Sequence, residues 1–118
     1  MSKKIVIIGA LGYLGTELCR IYSGESWYNK VVAIDSRFAS ERVNQLGKWN
    51  IEFLHGHILD KEFLKRNLND ADVVHHLAGI TDVAYVKKES SLEKDENIKK
   101  IAIEGTNNVL NSISQTCK

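Results

Sequence analysis

Three glycines spaced three residues apart follow a short apolar segment near the start of the chain. Gly9, Gly12 and Gly15 come directly after residues 4–8, and a pattern typical of an amphipathic helix follows them. In such an arrangement the first glycine permits a tight turn, the second leaves the backbone open to a ligand, and the third lets the helix pack closely against the strand. The unpaired N–H groups at the start of a helix attract anions. This segment therefore predicts a site for a pyrophosphate.

An acidic residue ends the second apolar run. Asp35 follows residues 30–34 and comes twenty residues after Gly15. A carboxylate at this position can accept hydrogen bonds from the adenosine ribose of a dinucleotide, and it repels a 2′-phosphate. We therefore expect dinucleotide binding, with NAD favoured over NADP, and the competing interpretation is a tight strand–helix turn without a ligand. Arg37 keeps NADP open because it could turn toward a 2′-phosphate, although a solvated surface arginine is the more ordinary interpretation.

Strand-like and helix-like segments alternate along the chain. Apolar runs predict four buried strands, at residues 5–8, 30–35, 51–55 and 72–78. Helical patterns begin at Tyr13, after an N-cap at Asp60, and at Leu92, whereas residues 41–46 fit either a short helix or a structured loop. This alternation predicts an α/β fold, a Rossmann-type doubly wound parallel sheet in the order 3-2-1-4, truncated after about four strands.

The last helical pattern, from Leu92 to about Ile113, has no fifth strand after it in the sequence. We expect its apolar residues, which include Ile98, Ile101, Val109 and Ile113, to stay partly uncovered. Uncovered apolar area is unfavourable by about 25 cal/mol per Å² relative to burial. Residues 1–118 are therefore expected to be one domain that is either a fragment or covered by self-association.

Composition excludes several classes of protein. The formal net charge is +1 and no basic stretch is longer than a pair, so nucleic-acid binding is not expected. No apolar run has the length of a membrane span, and the first residues do not resemble a signal peptide. Cys19 and Cys117 lie far apart, which argues against a disulfide framework. We expect a cytoplasmic protein with no membrane partner.

Four histidines invite the hypothesis of a metal site. His55 and His57 belong to the third strand region, whereas His75 and His76 belong to the fourth. In the order 3-2-1-4 these strands are three steps apart, or roughly 14 Å, which one metal ion cannot bridge. No metal site is therefore predicted.

Taken together, these motifs resemble the N-terminal part of the NAD-dependent epimerase/dehydratase family, a branch of the extended short-chain dehydrogenase/reductases that acts on nucleotide sugars. The resemblance covers nearly all of the chain but only about the first third of a typical member. It rests on the glycine turn with Tyr13 and Leu14, on Asp35, on the segments 56–60 and 74–79, and on Gly105-Thr106-x-Asn108.

The resemblance implies NAD as the cofactor, with NADP less favoured, a nucleotide-sugar substrate in the full-length parent, and a possible homodimer through the last helix. Two positions depart from the family pattern. His57 replaces an acidic residue that usually contacts the adenine amino group, and Ala102 stands where an asparagine near the cofactor is common. The residues implied in cofactor binding are Gly9, Gly12, Tyr13, Leu14, Gly15, Asp35, Ser36, Arg37, His57, Ile58, Leu77, Ala78 and Gly79.

The family's proton transfers depend on a Tyr-x-x-x-Lys pair, which the resemblance implies should be sought here. The four tyrosines are followed, four residues later, by Glu17, Ser26, Val32 and Glu89. No catalytic residue is therefore assigned to this chain, and we do not expect it to catalyse a reaction alone. The first hypothesis is the NAD-binding part of an epimerase/dehydratase-type oxidoreductase. The alternatives are a non-catalytic dinucleotide-binding module or sensor and, less favoured, an NADP-binding reductase relative.

Overall fold

The computed structural model describes residues 2–78 and 92–118. Strands and helices alternate along these residues as the sequence predicts, and the segment left open between helix and loop is helical. The elements are β1 (Lys4–Ile8), α1 (Tyr13–Tyr22), β2 (Lys30–Asp35), α2 (Ser40–Lys48), β3 (Glu52–His55), α3 (Lys61–Leu68), β4 (Val73–His76) and α4 (Leu92–Ser112).

The four strands form one parallel sheet in the order β3-β2-β1-β4, which confirms the predicted order. In the central strand, Ile5 lies opposite Val31 of β2 on one side and Val73 of β4 on the other. Residues 5–8 and 31–35 are buried throughout. Strands with both faces covered need continuous apolar sequence, and β-branched side chains suit the pleated surface.

Successive residues of β1 point to opposite faces of the sheet, and each face has its own core. Ile5 and Ile7 pack with Cys19 of α1 and Leu46 of α2. Val6 and Ile8 pack with a second cluster on the other face, which includes Leu64 and Leu68 of α3 and Val109 of α4. Helices therefore cover both faces, which confirms the doubly wound Rossmann-type architecture.

More of the apolar face of helix α4 is buried than the sequence led us to expect. Val109 is buried, so the prediction that it stays partly uncovered is wrong, because it packs onto the sheet beside α3. Ile98, Ile101 and Ile113 are half-buried. The exposed apolar residues of this helix are instead Ile103 and Leu110, which are 61% and 59% exposed. Within the described residues, no helix combines the length and apolar character needed to cross a membrane.

Candidate functional site

A cleft of about 720 Å³ opens where the strands of the sheet end. In open parallel sheets, ligands bind at this carboxyl edge. The structure brings twelve of the thirteen predicted site residues to the walls of this one cleft, and the thirteenth, Gly79, lies outside the described residues. The twelve are Gly9, Gly12, Tyr13, Leu14, Gly15, Asp35, Ser36, Arg37, His57, Ile58, Leu77 and Ala78.

The three glycines of the β1–α1 turn are required for different reasons. Gly9 has φ +86°, and a Cβ there would lie 2.8 Å from the backbone nitrogen of Ala78. A Cβ on Gly15 would lie 2.6 Å from Cα of Ala10. A Cβ on Gly12 would meet its nearest atoms, in Gly9 and Arg37, at 3.5 Å, which is ordinary van der Waals distance. The turn itself needs glycine at positions 9 and 15, whereas the fold leaves room for a Cβ at position 12.

The start of helix α1 offers its free N–H groups to the cleft. The N-cap is Gly12, no side chain caps the helix, and its first turn contains no acidic residue. The first helical hydrogen bond runs from Thr16 N to Gly12 O at 2.9 Å. The backbone N–H groups that precede Thr16 therefore have no acceptor within the helix. With the positive end of the helix dipole, these donors make a binding site for an anion such as a phosphate.

Asp35 ties the end of β2 to the glycine turn. Its side chain is only 4% exposed, and its Oδ2 accepts a hydrogen bond from the Leu11 N–H at 2.9 Å. Burial disfavours the charged carboxylate, but hydrogen bonds from Arg37 and from Leu11 outweigh burial, so the pKa of Asp35 lies below its usual value. The carboxylate is therefore charged at neutral pH. Sequence reasoning gave Asp35 only a role toward ribose and missed this support of the turn.

Arg37 is exposed, as expected for a surface arginine, but it is not free. Its Nε lies 3.1 Å from Asp35 Oδ1 and its Nη2 lies 3.2 Å from Asp35 Oδ2. This two-point ion pair raises the pKa of Arg37. Arg37 is thus an exposed surface arginine, as the more ordinary interpretation has it, and it is also paired with the carboxylate of Asp35.

A second arginine, which sequence reasoning did not single out, also supports the turn. Arg42 of α2 donates a hydrogen bond to the Leu11 carbonyl oxygen. The same residue's N–H is bound by Asp35, so both polar groups of Leu11 are held. On the next residue toward β1, the Ala10 carbonyl accepts the hydroxyl of Thr16 at 3.2 Å. Nothing in the spacing of Arg42 indicates this contact, because it depends on how α2 lies against the turn.

The opposite wall of the cleft is the loop after β3, and helix α4 holds it. Asn108 Nδ2 donates to the Ile58 carbonyl oxygen at 2.9 Å, and both groups are buried. A Cβ on Gly105 would lie 2.7 Å from Ile58 Cγ1, so glycine permits this close approach. Thr106 shares a 3.0 Å hydrogen bond with His76. The motif of α4 therefore acts through packing and hydrogen bonds to the loop after β3 and to β4.

His57, on this same wall, has a defined hydrogen-bonding state. Its Nδ1 accepts a hydrogen bond from the Leu59 N–H at 3.1 Å. In the neutral ring, the proton therefore lies on Nε2, which is a donor. An ionised acidic residue at this position would offer only acceptors, whereas the neutral ring of His57 offers a donor at Nε2.

The other three histidines have separate partners. His55 shares a 2.8 Å hydrogen bond with the Ser36 carbonyl, and His75 shares one of 2.8 Å with the Tyr22 hydroxyl. His76 bonds Thr106, as described above. Across residues 2–78 and 92–118, no group of three or more His, Cys, Asp or Glu side chains is placed to hold a metal ion.

Two known proteins are similar to this chain in sequence. A dTDP-D-glucose 4,6-dehydratase of Dictyostelium discoideum is 33% identical over 103 residues, which are 81% of this chain and 24% of that protein. Uncharacterized protein 052L of Frog virus 3 is 30% identical over 110 residues, which are 91% of this chain and 28% of that protein. The chain thus spans about a quarter of the length of these curated relatives.

Solved structures of similar fold also match this chain. An epimerase of Methanothermobacter thermautotrophicus matches with a TM-score of 0.74 and 26% identity, over 94% of this chain and 31% of that one. A UDP-glucose-4-epimerase of Stenotrophomonas maltophila with bound NAD and formylated UDP-arabinopyranose matches with a TM-score of 0.73 and 20% identity, over 93% and 33%. The model of the 3-beta hydroxysteroid dehydrogenase/isomerase family matches residues 6–117. The resemblance to the extended short-chain dehydrogenase/reductases is therefore confirmed, and this chain belongs to the 3-beta hydroxysteroid dehydrogenase/isomerase family.

Proposed function

We propose that the cleft binds NAD, and that residues 1–118 are the dinucleotide-binding part of an epimerase/dehydratase-type oxidoreductase that acts on a nucleotide sugar. The observation that carries this proposal is at Gly12, where the fold has room for a Cβ and does not itself require glycine. A pyrophosphate over Gly12 and the start of α1 would meet free N–H groups. The adenosine would then extend toward Asp35 and His57, and the nicotinamide toward the end of β4.

The remaining lining residues fit these parts of the cofactor. Tyr13 and Leu14, both exposed in the first turn of α1, would flank the pyrophosphate. Ser36 would lie near the adenosine ribose, while Leu77 and Ala78 would meet the nicotinamide half. When bound, NAD would supply a hydride acceptor for a carbon of the substrate. The chain's own contribution is to bind and orient it.

Nucleotide sugars are favoured over steroids as the substrate class. The family is described by hydroxysteroid chemistry. The similar proteins, however, include a dTDP-D-glucose 4,6-dehydratase and UDP-glucose 4-epimerases. Because residues 1–118 contain no Tyr-x-x-x-Lys pair, the proposal assigns cofactor binding and no proton transfer to them.

A calorimetric titration of the chain with NAD, compared with Gly12→Val, tests the proposal. The wild type should bind, and the variant should lose about a hundredfold or more in affinity, because the new side chain would occupy the place of the pyrophosphate. Its circular dichroism spectrum should show that the variant still folds, since the Cβ at Gly12 would be at ordinary van der Waals distance from its neighbours and its methyl groups would project from the N-terminus of α1 into the cleft. Gly47→Val is the matched control, because a Cβ there meets nothing within 4 Å. Equal NAD affinity in Gly12→Val and the wild type would refute the proposal.

We also propose that two copies associate through α4. Ile103 and Leu110 are exposed and seven residues apart, so they lie on one face of the helix two turns from each other. A second copy would cover this apolar face. Sedimentation equilibrium should show a dimer that Leu110→Glu dissociates, and a monomeric wild type at high concentration would contradict the proposal.

A further inference from the structure

A second, smaller cavity borders the glycine turn outside the cleft. Its volume is about 130 Å³, and its lining includes Ala10 and Leu11 of the turn, Thr16 of α1, and Leu46 and Trp49 at the end of α2. None of the residues that line this cavity also lines the cleft. The two spaces are therefore separate, although the same turn borders both.

The size and the apolar side chains of this cavity suit one six-membered ring. An apolar cavity of about 150 Å³ inside a protein can hold benzene. Here Leu11, Leu46 and Trp49 supply apolar surface, and an aromatic ring packs favourably against an indole. Close-packed interiors leave few voids larger than a water molecule, so a space of this size between α1 and α2 is more than packing alone leaves.

Arg42 supplies the cavity with a positive charge whose position is fixed. One N–H group of its guanidinium is donated to the Leu11 carbonyl oxygen, out of the five that a guanidinium carries. Among the residues that the structure describes, no acidic side chain forms an ion pair with Arg42. The guanidinium therefore has donors left for a ligand, and a carboxylate accepts two parallel hydrogen bonds from such a group.

Two other polar side chains of α2 line the cavity, and only one of them opposes an anion. Glu41 carries a negative charge, but it is exposed and free to turn into water, whereas Arg42 is tied to Leu11. Gln45 is neutral, and its amide can donate a hydrogen bond to a carboxylate. The charges around the cavity therefore favour an anionic ligand over a cationic one.

We propose that this cavity is a second ligand site, for a small aromatic carboxylate whose ring lies against Leu46 and Trp49 and whose carboxylate binds Arg42. The residues assigned to NAD take no part in this site, so the inference does not depend on the proposed function. Because the cavity and the cleft share no lining residue, both ligands should bind to one chain at the same time.

Fluorescence titration with benzoate tests the inference, because Trp49 lines the cavity. The chain has two tryptophans, and Trp27, which is 81% exposed, can be replaced to leave Trp49 alone. In Trp27→Phe, benzoate should change the emission saturably with a Kd of about 1 mM or below. Benzylamine and benzyl alcohol carry a ring but no negative charge, and each should bind at least about tenfold more weakly.

The absence of a saturable change up to about 20 mM benzoate would overturn the inference, since that limit corresponds to no useful affinity. Benzylamine that binds as tightly as benzoate would also overturn it, because the charge of the ligand would then be wrong.

Two substitutions in the Trp27→Phe background locate the site. Arg42→Met should weaken benzoate by about tenfold or more, because a charged hydrogen-bonding partner is lost. Gln45→Phe should fill the cavity and prevent binding, while the contact between Arg42 and Leu11 stays in place. Unchanged benzoate affinity in either variant would contradict the inference.

Arg20→Met is the matched control, because Arg20 is an exposed arginine that lines neither the cavity nor the cleft. Its benzoate affinity should equal that of Trp27→Phe alone. Equilibrium dialysis with labelled benzoate should show that added NAD does not displace it. Benzoate that NAD displaces competitively would lie in the cleft, and this result would overturn the inference.

Discussion

The two walls of the cleft are built by different means. The β1–α1 turn is held by its own glycines, Gly9 and Gly15, and by two side chains that contact it, Asp35 at the end of β2 and Arg42 of α2. The β3–α3 loop is held from the other face of the sheet by Asn108, fifty residues away. The comparison teaches that the wall at the glycine turn is fixed by backbone sterics and two side chains, while the opposite wall depends on the docking of one helix.

The strongest test of this contrast is Gly15→Ala. The added methyl would overlap the backbone of Gly9 and Ala10, which cannot move without distorting β1. We expect a loss of about 3 kcal/mol in the free energy of unfolding, measured by urea denaturation. Gly47→Ala is the control and should be neutral or stabilising, because its methyl meets no neighbour and alanine favours helix. Similar losses in both variants would show that the close approach is not the cause.

Asp35→Asn should weaken the same wall less, by about 2 kcal/mol at pH 7, because charged hydrogen bonds to Leu11 and Arg37 are lost. The folded-state pKa of Asp35 lies below its ordinary value of 3.8. The carboxylate therefore stabilises the fold fully above pH 3.8, and this contribution disappears as pH falls through the lower folded-state value.

Urea denaturation of wild type and Asp35→Asn at several pH values would measure this dependence. The stability difference should be constant from neutral pH down to about 5 and should shrink below 3.8. The exposed Asp70, paired with Lys4, provides the control, and Asp70→Asn should cost less than about 1 kcal/mol. A stability difference between Asp35→Asn and the wild type that grows as the pH falls would contradict the lowered pKa of Asp35 in the folded state.

Asn108→Ala addresses the other wall and has the smallest expected effect. It leaves the buried Ile58 carbonyl without its donor, which costs about 1.5 kcal/mol. Because Ile58 lines the cleft, NAD affinity should fall with stability, whereas Asp35 and the glycine turn are untouched. The exposed Asn111 of the same helix is the control, and Asn111→Ala should change neither quantity. An unchanged NAD affinity in Asn108→Ala would show that the position of the loop after β3 does not affect NAD binding.

How much of the structure can be predicted from the sequence depends on how far apart in the chain the interacting residues are. The continuous β-branched runs and the glycine spacing predict the strands and the turn, because burial on both faces and backbone sterics act locally. The strand order follows from the connection rules of doubly wound sheets. The N-cap Asp60 is likewise predicted, and its carboxylate accepts the Phe63 N–H at 3.1 Å. The side chain of Trp27, in contrast, is 81% exposed, which the sequence does not indicate.

The site is predicted as a set of residues but not as a network. Which residues line the cleft follows from motif positions at the carboxyl edge of the sheet. The ion pair of Arg37 depends on the rotamer that the turn after β2 permits, and the contact of Arg42 depends on the placement of α2. Neither rotamer nor helix placement is encoded in residue spacing, so these contacts come only from the structure.

The strand order also has a consequence for how this chain reaches its folded state. Lys4 pairs with Lys30, a separation of 26 residues, whereas Ile5 pairs with Val73, a separation of 68. Closing the longer loop costs about 0.9 kcal/mol more in chain entropy. The β1–β2 pair can therefore form early during synthesis, and we expect β4 to be the strand that joins last. Until it does, one edge of the central strand stays open to pairing with another molecule.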